Sequence, residues 1–186
     1  MGHRSKGSRS TSGALTRRRA TRIGVITDTH GLYDAAIEGH FAGVNEILHA
    51  GDIGGAQVIQ RLRRLAPVTA VSGNVDDYEA SGFPRRIIVR RRGLRIALCH
   101  VLYERGRLTA DAAAWLEAEQ PDVCVFGHSH RPMIARHGRT MLFNPGSAGP
   151  RRFSLPRGIG MLTLRPGKAT PRLIRLGDRV AAGSRS

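Results

Sequence analysis

RIGVITDTHG, residues 22–31, decides the fold. Its first half is a short β-rich apolar run, and it breaks at Asp28, His30 and Gly31 into a turn carrying two side chains of metal-binding type. A strand that delivers polar groups at its carboxyl end is the opening unit of an open α/β sheet, whose chemistry collects beyond the strand ends. Asp28 and His30 stand two residues apart where the chain leaves the sheet, so both can reach one ion.

The same device recurs along the chain. VNEILHAGD (44–52) and VTAVSGN (68–74) read as further strands, each ending in a Gly followed by an oxygen donor, Asp52 and Asn74. Residues 33–41 and AQVIQRLRRL (56–65) read as the helices between them, the second with apolar residues at helical spacing. This βαβαβ opening implies a parallel sheet with right-handed crossovers.

Beyond it, RRIIVRRRGLRIALCH (85–100) reads as a hairpin turning at Arg92-Gly93 and ending in His100. Residues 107–119 read as a helix, PDVCVFGHSH (121–130) as a strand ending in His128 and His130, and RPMIARHGRTMLFNPGS (131–147) as a hairpin turning at His137-Gly138. GIGMLTLRPG and ATPRLIRL (158–167 and 169–176) form a last antiparallel pair. Mixed pairing in both halves predicts an α/β fold of two mixed β-sheets packed face to face with helices outside, four layers in all.

Asp28, His30, Asp52, Asn74, His100, His128 and His130 thus form a ladder, with steps of 22, 22, 26 and 28 residues from His30 to Asp52, Asn74, His100 and His128. Each step is about one strand-and-return unit, which brings every rung to one sheet edge. A pair of divalent ions needs oxygen and imidazole donors, a carboxylate able to bridge, and open positions for water and substrate. Asp52 has the two oxygens that bridging requires, and Asn74 adds a neutral carbonyl oxygen that limits negative charge. His40 and His49 lie off the ladder and read as exposed or structural.

Composition narrows the setting. The 186 residues favour one domain, expected over 22–178. They carry a formal charge of +16, and 28 of the 30 basic residues are Arg, which either a polyanionic partner or genomic base composition explains. Residues 1–21 are rich in Ser, Gly and Arg without periodicity and are expected to be a disordered basic tail, with weak, salt-sensitive nucleic-acid contact at most. Aromatic residues make up only 5% of the chain, too few for the stacking platforms of a dedicated single-strand binder. Residues 179–186 are expected to fray. Cys99 and Cys124 form no CxxC, and no apolar run approaches the ~18 residues of a membrane span. A cytoplasmic location is expected, and a dimer is compatible with the sequence.

TDTHG (27–31), AGDI (50–53), SGNVD (72–76), His100, FGHSH (126–130) and NPGS (144–147) together resemble the calcineurin-like metallophosphoesterases, and within them the small single-domain bacterial and archaeal phosphodiesterase branch. The resemblance covers about residues 22–176. It implies that Asp28, His30, Asp52 and His130 hold one metal and that Asp52, Asn74, His100 and His128 hold the other, with Asp52 bridging. The ions implied are manganese first, with nickel, iron or zinc as alternatives. Asp52, Asn74 and His128 become the catalytic set, Asn74 and Arg151 the substrate contacts, and Asp76 a group behind the ligands. Asn144 and Ser147 are read as shaping their turn. The implied reaction is phosphoester hydrolysis by a hydroxide bridging the two metals.

Two departures stand out. Many larger relatives carry a His after the Asn of the GN motif as a proton donor to the leaving oxygen, whereas this chain, like much of the small branch it resembles, lacks it and has Val75. Without a positioned acid, leaving groups of low pKa are favoured, which points to a phosphodiesterase acting on aryl or cyclic diesters. Many relatives also have Gly after the ligand His, where this chain has Val101, so a positive φ there would be strained. The alternative reading is a non-catalytic interaction scaffold on the same fold, as in the retromer subunit of this superfamily.

Overall fold

The computed structural model describes residues 20–152 and 154–178. The basic tail, apart from Ala20 and Thr21, and the expected fraying at 179–186 lie outside the described residues. Thr21, within the expected tail, already belongs to the first strand, β1 (Thr21–Ile26).

In chain order there follow α1 (Ala36–Phe41), β2 (Glu46–His49), α2 (Ala56–Arg63), β3 (Val68–Ala70) and α3 (Tyr78–Ser81). The second half holds β4 (Arg86–Arg91), β5 (Leu94–Cys99), β6 (Tyr103–Glu104), β7 (Arg107–Leu108), α4 (Ala110–Glu119) and β8 (Val123–Val125). It closes with β9 (Met133–His137), β10 (Thr140–Asn144), β11 (Gly158–Arg165) and β12 (Lys168–Arg175).

Two five-stranded sheets form, ordered β12-β11-β1-β2-β3 and β4-β5-β8-β10-β9. In the first, β1, β2 and β3 are parallel while β11 and β12 run antiparallel. In the second, β5, β8 and β10 are parallel, and β4 and β9 are antiparallel edges. Both sheets are mixed, as the sequence predicts. One apolar layer lies between them, where Ile23, Val25 and Leu48 of the first sheet meet Ile96, Val123 and Phe143 of the second.

Helices cover the outer faces. The α2 residues Val58, Ile59 and Leu62 are buried at helical spacing against the first sheet, alongside Ile37 and Phe41 of α1. On the other side Ala112 and Leu116 of α4 pack against Cys99, Cys124 and Phe126. None of the helices among the described residues is long and apolar enough to cross a membrane.

Two helices start later than the pattern suggests. The Asp34 carboxylate is fully buried, accepts from the Ala36 N–H at 3.0 Å and pairs with Arg157 at 2.8 Å, so residues 33–35 turn before α1 begins. Residues 107 and 108 pair with 103 and 104 in a small hairpin, after which the Thr109 hydroxyl accepts from the Ala112 N–H and caps α4.

Candidate metal centre

Every rung of the ladder lies past the carboxyl end of a parallel strand: Asp28 and His30 after β1, Asp52 after β2, Asn74 after β3, His100 after β5, and His128 and His130 after β8. The loops continue the sheet's pairing for a few residues. Asp28 N–H donates to Gly51 O at 3.0 Å, His30 N–H to Asp52 O at 2.9 Å, and Gly31 N–H to Ile53 O at 2.8 Å. Asp28, His30, Asp52, His128 and His130 all adopt positive φ, between 47° and 69°. Non-glycine residues rarely sit there, and each such residue carries a local cost that the surrounding structure must impose. The turns re-aim these side chains inward. Val101 is not among the residues with positive φ, so the strain expected after His100 does not arise.

Five side chains meet closely. His130 Nε2 lies 3.2 Å from Asp28 Oδ1 and 3.3 Å from His30 Nε2. His30 Nε2 lies 3.7 Å from Asp52 Oδ2, and His100 Nε2 lies 3.3 Å from the same oxygen and 3.9 Å from Asp28 Oδ1. Two donor groups follow, Asp28 with His30 and His130, and Asp28 with Asp52 and His100, each drawn together within 4.8 Å. His128 stands edge-on to His100, with ring centroids 5.4 Å apart, and its backbone N–H donates to the Asp28 carboxylate. Asn74 is exposed and lines the cleft beside His100.

The donor chemistry fits divalent cations. His100 Nδ1 lies 2.8 Å from the Ala50 carbonyl, which can only accept, so in the neutral ring Nδ1 holds the hydrogen and Nε2 is a bare lone pair. That atom is buried, has no hydrogen-bond partner among the described residues, and faces two carboxylates. Lone pairs and buried carboxylates gathered in this way need protons or cations between them. The titration behaviour agrees. Burial raises the Asp52 carboxyl, but His100, the Val75 N–H and His30 outweigh it and hold it well below its usual range. Burial depresses His100, yet Asp52 and Asp28 together raise it. Burial lowers His30 despite Asp52, and the Arg152 charge lowers it further.

A frame of buried polar side chains and backbone contacts fixes the loops. The Asp76 carboxylate accepts from the N–H groups of Ile53, Gly54 and Gly73 at 2.8–3.0 Å, tying the loop after β2 to the loop after β3. His49 is fully buried, and Gly51 N–H donates to its Nδ1 at 3.2 Å, so its Nε2 carries the hydrogen toward Thr29 Oγ1 at 3.0 Å. Burial pushes its pKa down to about 4, so it stays a neutral strut. Asn144 donates to Gly127 O and accepts from Gly146 N–H, and the Ser147 hydroxyl donates to Asp28 O, so both shape the turn. Arg157, 2% exposed, donates to the carbonyls of Ala148, Gly149 and Gly177 while pairing with Asp34. The sequence reading missed this clamp. Arg151 is exposed and pairs with Asp178 at 3.4 Å, whereas the neighbouring Arg152 is the arginine whose charge reaches His30.

Carboxylates and imidazoles gathered past the parallel strands of two face-to-face mixed sheets define the class of the metallophosphoesterases. The chain belongs to the calcineurin-like phosphoesterase superfamily, whose domain matches residues 21–167. A probable metallophosphoesterase of Methanothermobacter thermautotrophicus is 35% identical over 165 residues, covering 85% of this chain and 94% of its own. The phosphodiesterase YfcE of Escherichia coli is 32% identical over 58% of this chain and 59% of its own. Vps29 of Chaetomium thermophilum shares the fold, with a TM-score of 0.67 and 20% identity over 84% of this chain and 97% of its own.

Proposed function

We propose that this protein is a phosphodiesterase that works with two divalent metal ions, manganese being the first to test. The observation that carries the reading is the bare, buried Nε2 of His100 facing Asp28 and Asp52. Asp28, His30, Asp52 and His130 would hold one ion, and Asp52, Asn74, His100 and His128 the other. When bound, such a pair makes water acidic enough to act as a nucleophile near neutral pH and draws charge from the phosphoryl oxygens.

The chain's own groups set the conditions for that chemistry. Asp52 remains ionised, because the histidines around it and the Val75 N–H, 3.0 Å from Oδ1, favour its charged form. The hydrogen bond from His100 Nδ1 to Ala50 keeps Nε2 aimed inward. Asn74, exposed at the cleft, is placed to orient a phosphoryl oxygen with its amide. No side chain at position 75 can hand a proton to the departing oxygen, since Val75 is apolar and 54% exposed. Diesters with acidic leaving groups are the substrates this arrangement suits.

The test is turnover of bis(p-nitrophenyl) phosphate by manganese-loaded protein, abolished by Asp52→Ala and by Asn74→Ala. A loaded, folded protein that hydrolyses no phosphodiester overturns the enzymatic reading in favour of an interaction scaffold. Usable donors at all seven ladder positions support the enzyme.

A further inference from the structure

The metal centre does not end at His100. A cleft of about 570 Å³ runs from Asn74 and His100 to Arg85, Arg86 and Asp111. The register explains the continuity: Arg86, the first residue of β4, pairs with Cys99, which immediately precedes His100. A cavity of this size accommodates a ligand far larger than one phosphoryl group, within the roughly 300–1,000 Å³ typical of sites for whole small molecules.

The far wall is cationic and pre-arranged. Arg86 is held from two sides, with its guanidinium 5.1 Å above the Trp115 ring and ion-paired to Asp111. Only 28% of its side chain is exposed, while the Asp111 side chain is 82% exposed, so the pair opens to water on the Asp111 side. A guanidinium offers five donors in a planar fork that matches phosphate oxygens, and stacking on an aromatic face leaves that fork oriented. Arg85 is exposed on the same wall. Asp76 also lines the cleft, but its carboxylate is committed to three backbone N–H groups.

We propose that the Arg85–Arg86 end of this cleft binds a second phosphate on the substrate, so that the preferred phosphodiester is a nucleotide-sized molecule with a terminal phosphate beyond the scissile one. This rests on the phosphodiesterase reading of the metal centre. It adds a specificity that the metal ligands cannot supply, because they contact only the reacting phosphoryl group.

The test uses two substrates that differ only at the far end: the p-nitrophenyl ester of thymidine 5′-phosphate, with and without a 3′-phosphate. The manganese-loaded protein is expected to favour the 3′-phosphorylated ester in kcat/KM by about tenfold or more, on the scale of one charge-assisted contact. The ratio falls to about one in Arg85→Gln/Arg86→Gln and is partly kept in the double Lys variant. Calorimetry supplies a readout apart from turnover, with thymidine 3′,5′-bisphosphate expected to bind about tenfold tighter than thymidine 5′-phosphate. Melting curves check folding, and the exposed Arg85→Gln single variant serves if the double variant is unstable. Equal kcat/KM for the two esters and equal affinity for the two nucleotides, with diesters still hydrolysed, overturns the second-phosphate site and leaves the phosphodiesterase standing. Failure to hydrolyse any diester, with the binding preference intact, overturns the phosphodiesterase reading and leaves the arginine site as a phosphate-binding site. Loss of both overturns both.

Discussion

A Cβ placed on Gly73 would stand 2.2 Å from the backbone nitrogen of Asp52 and 2.3 Å from its Oδ1. The loop after β3 therefore presses directly against the carboxylate proposed to bridge two metals. The obstructing nitrogen is main chain, so it cannot rotate away as a side chain would. Gly73→Ala is expected to lower stability by at least the ~1–3 kcal/mol of an overpacked core position and to cut the metal retained after gel filtration. Thermal melting and elemental analysis check this, and a wild-type melting temperature with full metal content would show that the loop yields.

Asp76 organises two of the ladder's loops by accepting from three backbone N–H groups. Hydrogen bonds to a charged acceptor are worth about 1.5–3 kcal/mol each and are not additive. Asp76→Ala is expected to weaken metal affinity by about 10–100-fold, as supporting groups around metal sites commonly do. Asp76→Asn, which keeps the shape and one acceptor oxygen, should fall between. Metal titration by calorimetry distinguishes these, and equal affinities across the three proteins would remove Asp76 from the frame.

His49 predicts an acid-labile fold. In the folded protein burial holds its pKa at about 4, against 6.5 for the free side chain, so between those values the unfolded chain binds more protons. Its contribution to stability is complete above pH 6.5 and is lost as pH falls toward 4, amounting to about 3 kcal/mol over that interval. Urea unfolding at pH 7, 6, 5 and 4.5 should show a shallower pH slope in His49→Gln than in the wild type. Parallel slopes would mean that other groups govern acid unfolding.

Position 75 offers a gain of function. Its side chain is more than half exposed and directly follows Asn74 of the cleft, so replacing it disturbs no core packing. Val75→His is expected to raise turnover of alkyl phosphodiesters relative to p-nitrophenyl diesters by about 10²-fold, the lower range for a positioned general acid. The pH profile should gain a descending limb near the imidazole pKa. An unchanged preference among leaving groups would show that the missing acid does not set substrate choice.

The ladder was legible because each rung follows a β-rich run and a small residue, and both signals are local. Sheet composition was legible for the same reason, since the strands alternate with helices first and with hairpins later. The Arg157 clamp was hidden, because its partners at 34, 148, 149 and 177 are united only by tertiary folding. The pairing of Arg151 with Asp178 was equally hidden, since only tertiary folding brings the two together. The short α3 and the β6–β7 hairpin carry too few residues for periodicity to register.

The strand order β12-β11-β1 has a consequence for how the protein is made. All seven rungs are synthesised by residue 130, but β1 gains its antiparallel neighbour, and Asp34 beyond it gains Arg157, only with residues 157–165. A nascent chain therefore carries every proposed ligand while lacking the staple that holds the first two in place. The loop after β1 thus reaches its final setting late in synthesis, once the C-terminal strands have joined the sheet.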